Sequence, residues 1–118
     1  MISIDKQTND LKISRGDTFT IRVNLTGGVT LGENDLVRFA VKKTIGSSEV
    51  LFSKDVRNPG EQWADIFFDY EELDRLTGDA YRYDVTLISK DTNKIYTLIW
   101  DAALIIKGIA HYAEIEQS

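Results

Sequence analysis

The sequence contains no cysteine, and only one histidine, one proline and one methionine among its 118 residues. The absence of cysteine excludes disulfide bonds, thiol nucleophiles and cysteine-ligated zinc sites. Because small secreted domains often depend on disulfides, the composition favours a protein that is assembled in the cytoplasm. No apolar run approaches the roughly 20 residues of a membrane-spanning helix. The first residues also lack the pattern of a signal peptide, so we expect no membrane partner.

Basic residues are fewer than acidic ones, 14 Lys and Arg against 19 Asp and Glu, which gives a formal charge of −5 at pH 7. An acidic protein without a long run of basic residues repels nucleic acid phosphates, so we expect no nucleic acid partner. The length fits one domain over residues 1–118. A hydrophobic content of 42% is ordinary for a soluble globular chain.

Apolar and polar residues alternate along most of the chain, which predicts β-strands. In 18–25, for example, Phe19, Ile21 and Val23 share one face. The further predicted strands are 2–4, 11–14, 37–43, 50–54, 63–69, 81–89, 94–100 and 102–107. Turn residues such as Arg57-Asn58-Pro59-Gly60 separate these strands. Short strands at this spacing predict an all-β fold, an antiparallel sandwich or barrel.

The segment between two of these strands, at about residues 70–77, is predicted to form one short helical turn. Asp69 suits the N-cap, and Glu72 lies three residues on, where its carboxylate can reach back to a backbone N–H. Gly78 is expected to end the turn with a positive φ.

Residues with catalytic potential are few. His111 is the only histidine, and no Gly-x-Ser-x-Gly motif suggests a nucleophile for it. The acidic residues fit solvated strand and turn positions better than the paired carboxylates of a glycosidase. Asp91-Thr92-Asn93 lacks the glycine and the distal glutamate of an EF-hand calcium loop. We therefore expect no enzyme activity, no cofactor and no metal site.

Four aromatic residues are the candidate site residues: Trp63, Tyr96, Trp100 and Tyr112. Most aromatic residues of the chain lie where alternation predicts core packing. An outward-facing member such as Tyr96 or Trp100 would suit a subunit interface, where Trp and Tyr are enriched. Aromatic rings also pack against the apolar faces of sugars. A carbohydrate-binding accessory module is therefore the alternative to a protein–protein interface.

Three segments occur in an order that resembles a known family. They are Gly16–Ile21, Leu36–Lys43 and Tyr81–Leu87, and the apolar segments Thr97–Ile99 and Leu104–Ile106 follow them. This series resembles the N-terminal domain of phage baseplate upper proteins and the small phage-like proteins of Firmicutes genomes that share it. The resemblance implies an Ig-like β-sandwich without catalytic activity. It also implies a structural role in the virion, in a phage or prophage tail or baseplate, with other tail proteins or further copies of the chain as partners.

Overall fold

A computed structural model describes residues 3–4, 9–14, 16–69, 71–90 and 92–107. These residues form eight β-strands and no helix, which confirms the predicted all-β class. The strands are β1 (Ser3–Ile4), β2 (Leu11–Ser14), β3 (Phe19–Asn24), β4 (Asp35–Lys42), β5 (Val50–Val56), β6 (Trp63–Phe68), β7 (Ala80–Ser89) and β8 (Lys94–Lys107). Within these ranges there is consequently no helix long and apolar enough to cross a membrane.

The strands form two sheets. The larger sheet has the order β1-β2-β8-β7-β4-β5, and the smaller sheet pairs β3 with β6. Every pair is antiparallel except β2 and β8, where Leu11 to Ser14 run parallel to Leu104 to Lys107. The expectation of a wholly antiparallel arrangement is therefore wrong for this pair. A parallel pair needs a long connection, and the five strands between β2 and β8 include enough chain to provide one.

The two sheets pack face to face around a common core. The ring of Phe68 on β6 lies 4.8 Å from the ring of Phe19 on β3 and 5.0 Å from the ring of Phe39 on β4, between centroids. Phe39 belongs to the larger sheet, so these contacts join the two layers. The arrangement is thus sandwich-like, with the apolar face of each sheet turned inward.

Strand β8 runs without interruption where two segments, 94–100 and 102–107, were predicted. It is continuous because a β-bulge absorbs the break: the register shifts where β7 has one residue, Asp84, and β8 has two, Trp100 and Asp101. The flanking residues pair in register, Tyr83 with Ala102 and Val85 with Ile99. Because these flanking residues point into the core, Trp100 and Asp101 lie on the opposite side of the sheet.

The corner between β6 and β7 consists of successive turns. The backbone N–H groups of Glu72, Asp74 and Leu76 each donate to the carbonyl three residues earlier. These bonds fall on alternate residues and do not form a continuous helical ladder, so the predicted helical turn at about 70–77 is not confirmed. The predicted reach of Glu72 is confirmed, because its Oε1 accepts a hydrogen bond from the N–H of Asp69 at 2.9 Å.

Gly78 at this corner is in close contact with a tyrosine side chain. Its φ is not among the positive values of the chain, so the predicted positive φ is wrong. Its N–H donates to the hydroxyl of Tyr81 at 2.6 Å. A Cβ at this position would lie only 2.9 Å from that hydroxyl oxygen. The glycine therefore allows the hydroxyl of Tyr81 to approach the backbone.

Tyr83 connects the residues just before β2 to the core. Its buried ring stacks on Phe39 with 5.0 Å between centroids, and its hydroxyl donates to the carbonyl of Asn9. Burial, followed by the negative charge of Asp10, raises the pKa of Tyr83 from 10.0 to about 12.

This pKa predicts a loss of stability in alkali. Above pH 10.0 the unfolded chain releases the phenol proton of Tyr83, while the folded chain keeps it up to about pH 12. The unfolded state then binds fewer protons, so the free energy of unfolding should fall as pH rises through this window. Ultraviolet titration of tyrosinate should show one group that ionises near pH 12, absent from Tyr83→Phe. Ionisation of all the tyrosines near pH 10 would contradict the buried position.

Candidate functional site

The candidate site lies on the outer face of the larger sheet, the face that points away from the core. Two large apolar side chains of β8 are strongly exposed, Trp100 by 73% and Ile95 by 70%. Ile95 belongs to this face because it pairs with Ile88, whose neighbour Leu87 is buried in the core. Exposed apolar residues mark an interaction surface where they form a contiguous patch.

A shallow depression of about 620 Å³ lies closer to the end of β8. Ala80, Ala103 and Ile105 form part of its lining on the sheet, and Ile45 borders it from the loop between β4 and β5. Ile45 is itself largely exposed. The outer face therefore has apolar surface at both ends.

The middle of the outer face contains three charged residues in contact. The ammonium group of Lys42 on β4 donates to Oδ1 of Asp101 on β8 and lies 3.0 Å from Oδ2 of Asp84 on β7. Oδ1 of Asp84 accepts the backbone N–H of Asp101 at 2.8 Å. The side chain of Lys42 is only 7% exposed and that of Asp101 only 11%. We call this group the Lys42 cluster.

The two carboxylates offset the unfavourable burial of Lys42. Burial alone would lower the pKa of Lys42, but the hydrogen bonds to Asp101 and Asp84 outweigh it and raise this pKa. The hydrogen bond from Lys42 lowers the pKa of Asp101, and the N–H of Gly46 and the charge of Arg82 act in the same direction. The Lys42 cluster therefore joins β4, β7 and β8 through two ion pairs within the chain.

A second ion pair on the outer face also joins two residues of this chain. Arg38 on β4 donates two hydrogen bonds to Asp55 on β5, at 2.7 and 3.0 Å. Both side chains are exposed, so the pair adds little stability. The two charges do cancel each other, however, so a partner that bound this face would not need to supply a counter-charge for Arg38 or Asp55.

Strand β5 forms one edge of the larger sheet, and a lysine protects this edge from pairing with another strand. Lys54 points between the two sheets, because its partner in the register is the buried Phe39. Its ammonium group donates to both carboxylate oxygens of Glu72 at 2.7 and 2.8 Å, and to the carbonyl of Phe67. An inward-pointing lysine discourages another strand from pairing at an edge. Association through the outer face is therefore favoured over association through this edge.

The structure separates the aromatic residues that the sequence grouped together. Trp100 lies on the outer face, whereas Tyr96 pairs with Leu87 and so lies on the other face of β8. Trp63 lies on β6 in the smaller sheet, where the guanidinium of Arg22 sits 4.9 Å from its ring centroid. Tyr112, like His111, lies outside the described residues. The three described candidates do not form one aromatic strip.

Sequence reasoning missed the Lys42 cluster. Strand alternation places Lys42 and Asp84 on outward faces, and that signal is visible in the sequence. Asp101 joins them only because of the bulge in β8. A bulge depends on how β8 pairs with β7, which the pattern of one strand does not encode.

No protein family model matches this chain, and no curated protein sequence matches it.

Proposed function

We propose that this protein is a non-enzymatic assembly module that works through protein–protein contacts of its outer face. The observation that carries the proposal is the exposure of Trp100 beside the Lys42 cluster, in which the cation is paired with two carboxylates of the same chain. Tryptophan is enriched among the residues that contribute most to binding energy, especially where surrounding groups exclude water. An exposed indole on a rigid sheet is suited to that role.

The setting that we propose is the tail or baseplate of a phage or prophage, and hence the virion. The support for this setting is the ordered resemblance of Gly16–Ile21, Leu36–Lys43 and Tyr81–Leu87 to the baseplate upper protein family. Homo-oligomers with closed rotational symmetry are the commonest assemblies of soluble proteins. The proposed partners are therefore further copies of this chain together with other tail proteins.

The fold proposed for this module is Ig-like. Two features support this assignment. The order β8-β7-β4-β5 in one sheet and the pairing of β3 with β6 in the other correspond to strands G-F-C-C′ and B-E of immunoglobulin domains. The hydrogen bond between the Tyr81 hydroxyl and the N–H of Gly78, just before β7, resembles the tyrosine corner of such domains.

Light scattering tests the proposed function. We expect the weight-average mass of the purified protein to rise with concentration, because copies should associate through the outer face. A monomeric mass over the whole accessible concentration range would contradict self-assembly through this surface.

The carbohydrate-binding alternative gains little from the geometry. A sugar platform needs adjacent aromatic faces, whereas Tyr96 and Trp100 lie on opposite faces of β8 and Trp63 lies in the other sheet. Binding to a glycan array that is lost in a folded Trp100→Ala variant would favour this alternative.

A further inference from the structure

We propose that Lys42 and Asp101 become joined by an intramolecular isopeptide bond, with Asp84 as the group that transfers the protons. This modification does not depend on the proposed assembly function, because it concerns contacts within one chain. It would link β4 to β8 covalently across β7, which lies between them.

The geometry brings the three reacting groups together. The amine of Lys42 contacts the carboxylate of Asp101 directly and lies 3.0 Å from a carboxylate oxygen of Asp84. The side chains of Lys42 and Asp101 are almost completely shielded from solvent. Holding an amine and a carboxyl group in contact makes their reaction effectively unimolecular. Exclusion of water also protects the linkage against hydrolysis.

The backbone of Asp101 adds an independent observation. Asp101 is not a glycine, yet its φ is 51° in the middle of a strand. Its N–H donates to Asp84 at 2.8 Å, and its carbonyl accepts a hydrogen bond from Arg82 at 3.1 Å. Aspartate adopts this left-handed region more readily than most residues, and non-glycine residues in sparsely populated regions cluster at functional sites. The bulge positions the Asp101 side chain beside the amine of Lys42.

The reaction balances without an added reactant. Asp84 takes one proton from the Lys42 ammonium and delivers it to the Asp101 carboxylate. The ion pair favours the charged forms, so the neutral amine that attacks Cγ of Asp101 is a minor species and the reaction is slow. Asp84 then moves a second proton from the nitrogen to the oxygen that leaves. One water departs, with its oxygen from Asp101 and two hydrogens from Lys42.

A backbone donor lies near the oxygen that gains negative charge during the attack. The N–H of Gly46 is 3.4 Å from Oδ1 of Asp101 in the ground state. Hydrogen-bond donors already placed near a developing oxyanion stabilise the transition state, and this contact would shorten as charge builds. Gly46 has a φ of 75°, so the turn that presents its N–H depends on glycine.

Intact-mass spectrometry of the purified full chain tests the bond. We expect a mass lower than the sequence mass by one water, and a proteolytic digest should contain a branched peptide that joins Lys42 to Asp101. A wild-type mass equal to the sequence mass would overturn the proposal, whatever the variants do.

Three variants and one matched control locate the chemistry. Lys42→Arg and Asp84→Ala should both recover the full mass, since the first lacks the amine and the second lacks the proton carrier. Asp101→Asn should lose one ammonia in place of water, because the amide nitrogen becomes the leaving group. Lys43→Arg, at the neighbouring position, should keep the loss of water. If Lys42→Arg still loses water, the loss arises elsewhere, for example from a succinimide, and the proposal fails.

Discussion

Phe68→Ala is expected to lower the free energy of unfolding by about 3–5 kcal/mol, as for other fully buried phenylalanines. Phe68 is fully buried, and its ring contacts Phe19 in its own sheet and Phe39 in the other. Truncation would leave a cavity between two rigid sheets, and neither sheet can collapse into it without losing its pairing. Urea denaturation followed by tryptophan fluorescence measures the change.

The neighbouring residue Phe67 provides the control. It lies on the same strand, but its side chain points away from the core and is 49% exposed. Phe67→Ala should therefore cost less than about 1 kcal/mol, as is usual for surface substitutions. Equal losses for the two variants would contradict the packing of β6 against the larger sheet.

Lys42→Ala is expected to lower the free energy of unfolding by about 3 kcal/mol, because it leaves two carboxylates close together without their cation. Asp84 and Asp101 would then repel each other across the bulge. This loss follows from the ion pairs alone, and the covalent bond proposed above would add to it. Thermal and urea denaturation of the variant measure the effect.

Lys43→Ala is the matched control for this substitution. Lys43 is the next residue along the chain, and its side chain is exposed. Its removal should change stability by no more than about 0.5 kcal/mol. If both lysine variants lose the same small amount, the Lys42 cluster does not hold β4, β7 and β8 together.

Much of the strand pattern was predictable, because alternation over a half-buried strand is a local property of the sequence. The prediction of a strand over 18–25 agrees closely with β3, Phe19–Asn24, and that over 81–89 with β7, Ala80–Ser89. Both strands have one face in the core and one outside, so their sequences alternate.

Features that depend on partners distant in the sequence were not predictable in the same way. The parallel pairing of β2 with β8 joins the two ends of the described chain, and nothing in Leu11–Ser14 specifies its neighbour. At the corner before β7, the hydrogen bond from the N–H of Asp69 to Glu72 was predicted correctly. The ion pair of Glu72 with Lys54 was not predicted, because Lys54 lies on β5 in the larger sheet. Local signals predicted a positive φ at Gly78, but the structure shows instead a close contact between this glycine and the hydroxyl of Tyr81.

In the candidate site, too, local features were predictable from the sequence and contacts between distant residues were not. Trp100 was singled out from its residue type, and the structure places it on the outer face. Its separation from Tyr96 follows from the register of β8 with β7. The residues that surround it, Lys42, Asp84 and Asp101, come together only through the bulge. Composition therefore indicated which side chain to examine, and strand pairing determined its neighbours.

Light scattering on a pair of matched variants tests whether the outer face is the assembly surface. Trp100→Arg places a charge in the outer face, whereas Phe67→Arg places the same charge on an exposed aromatic position of the smaller sheet. We expect wild type and Phe67→Arg to gain mass with concentration, whereas Trp100→Arg should stay monomeric with an unchanged circular dichroism spectrum. Equal association of the two folded variants would contradict the assignment of the outer face as the assembly surface.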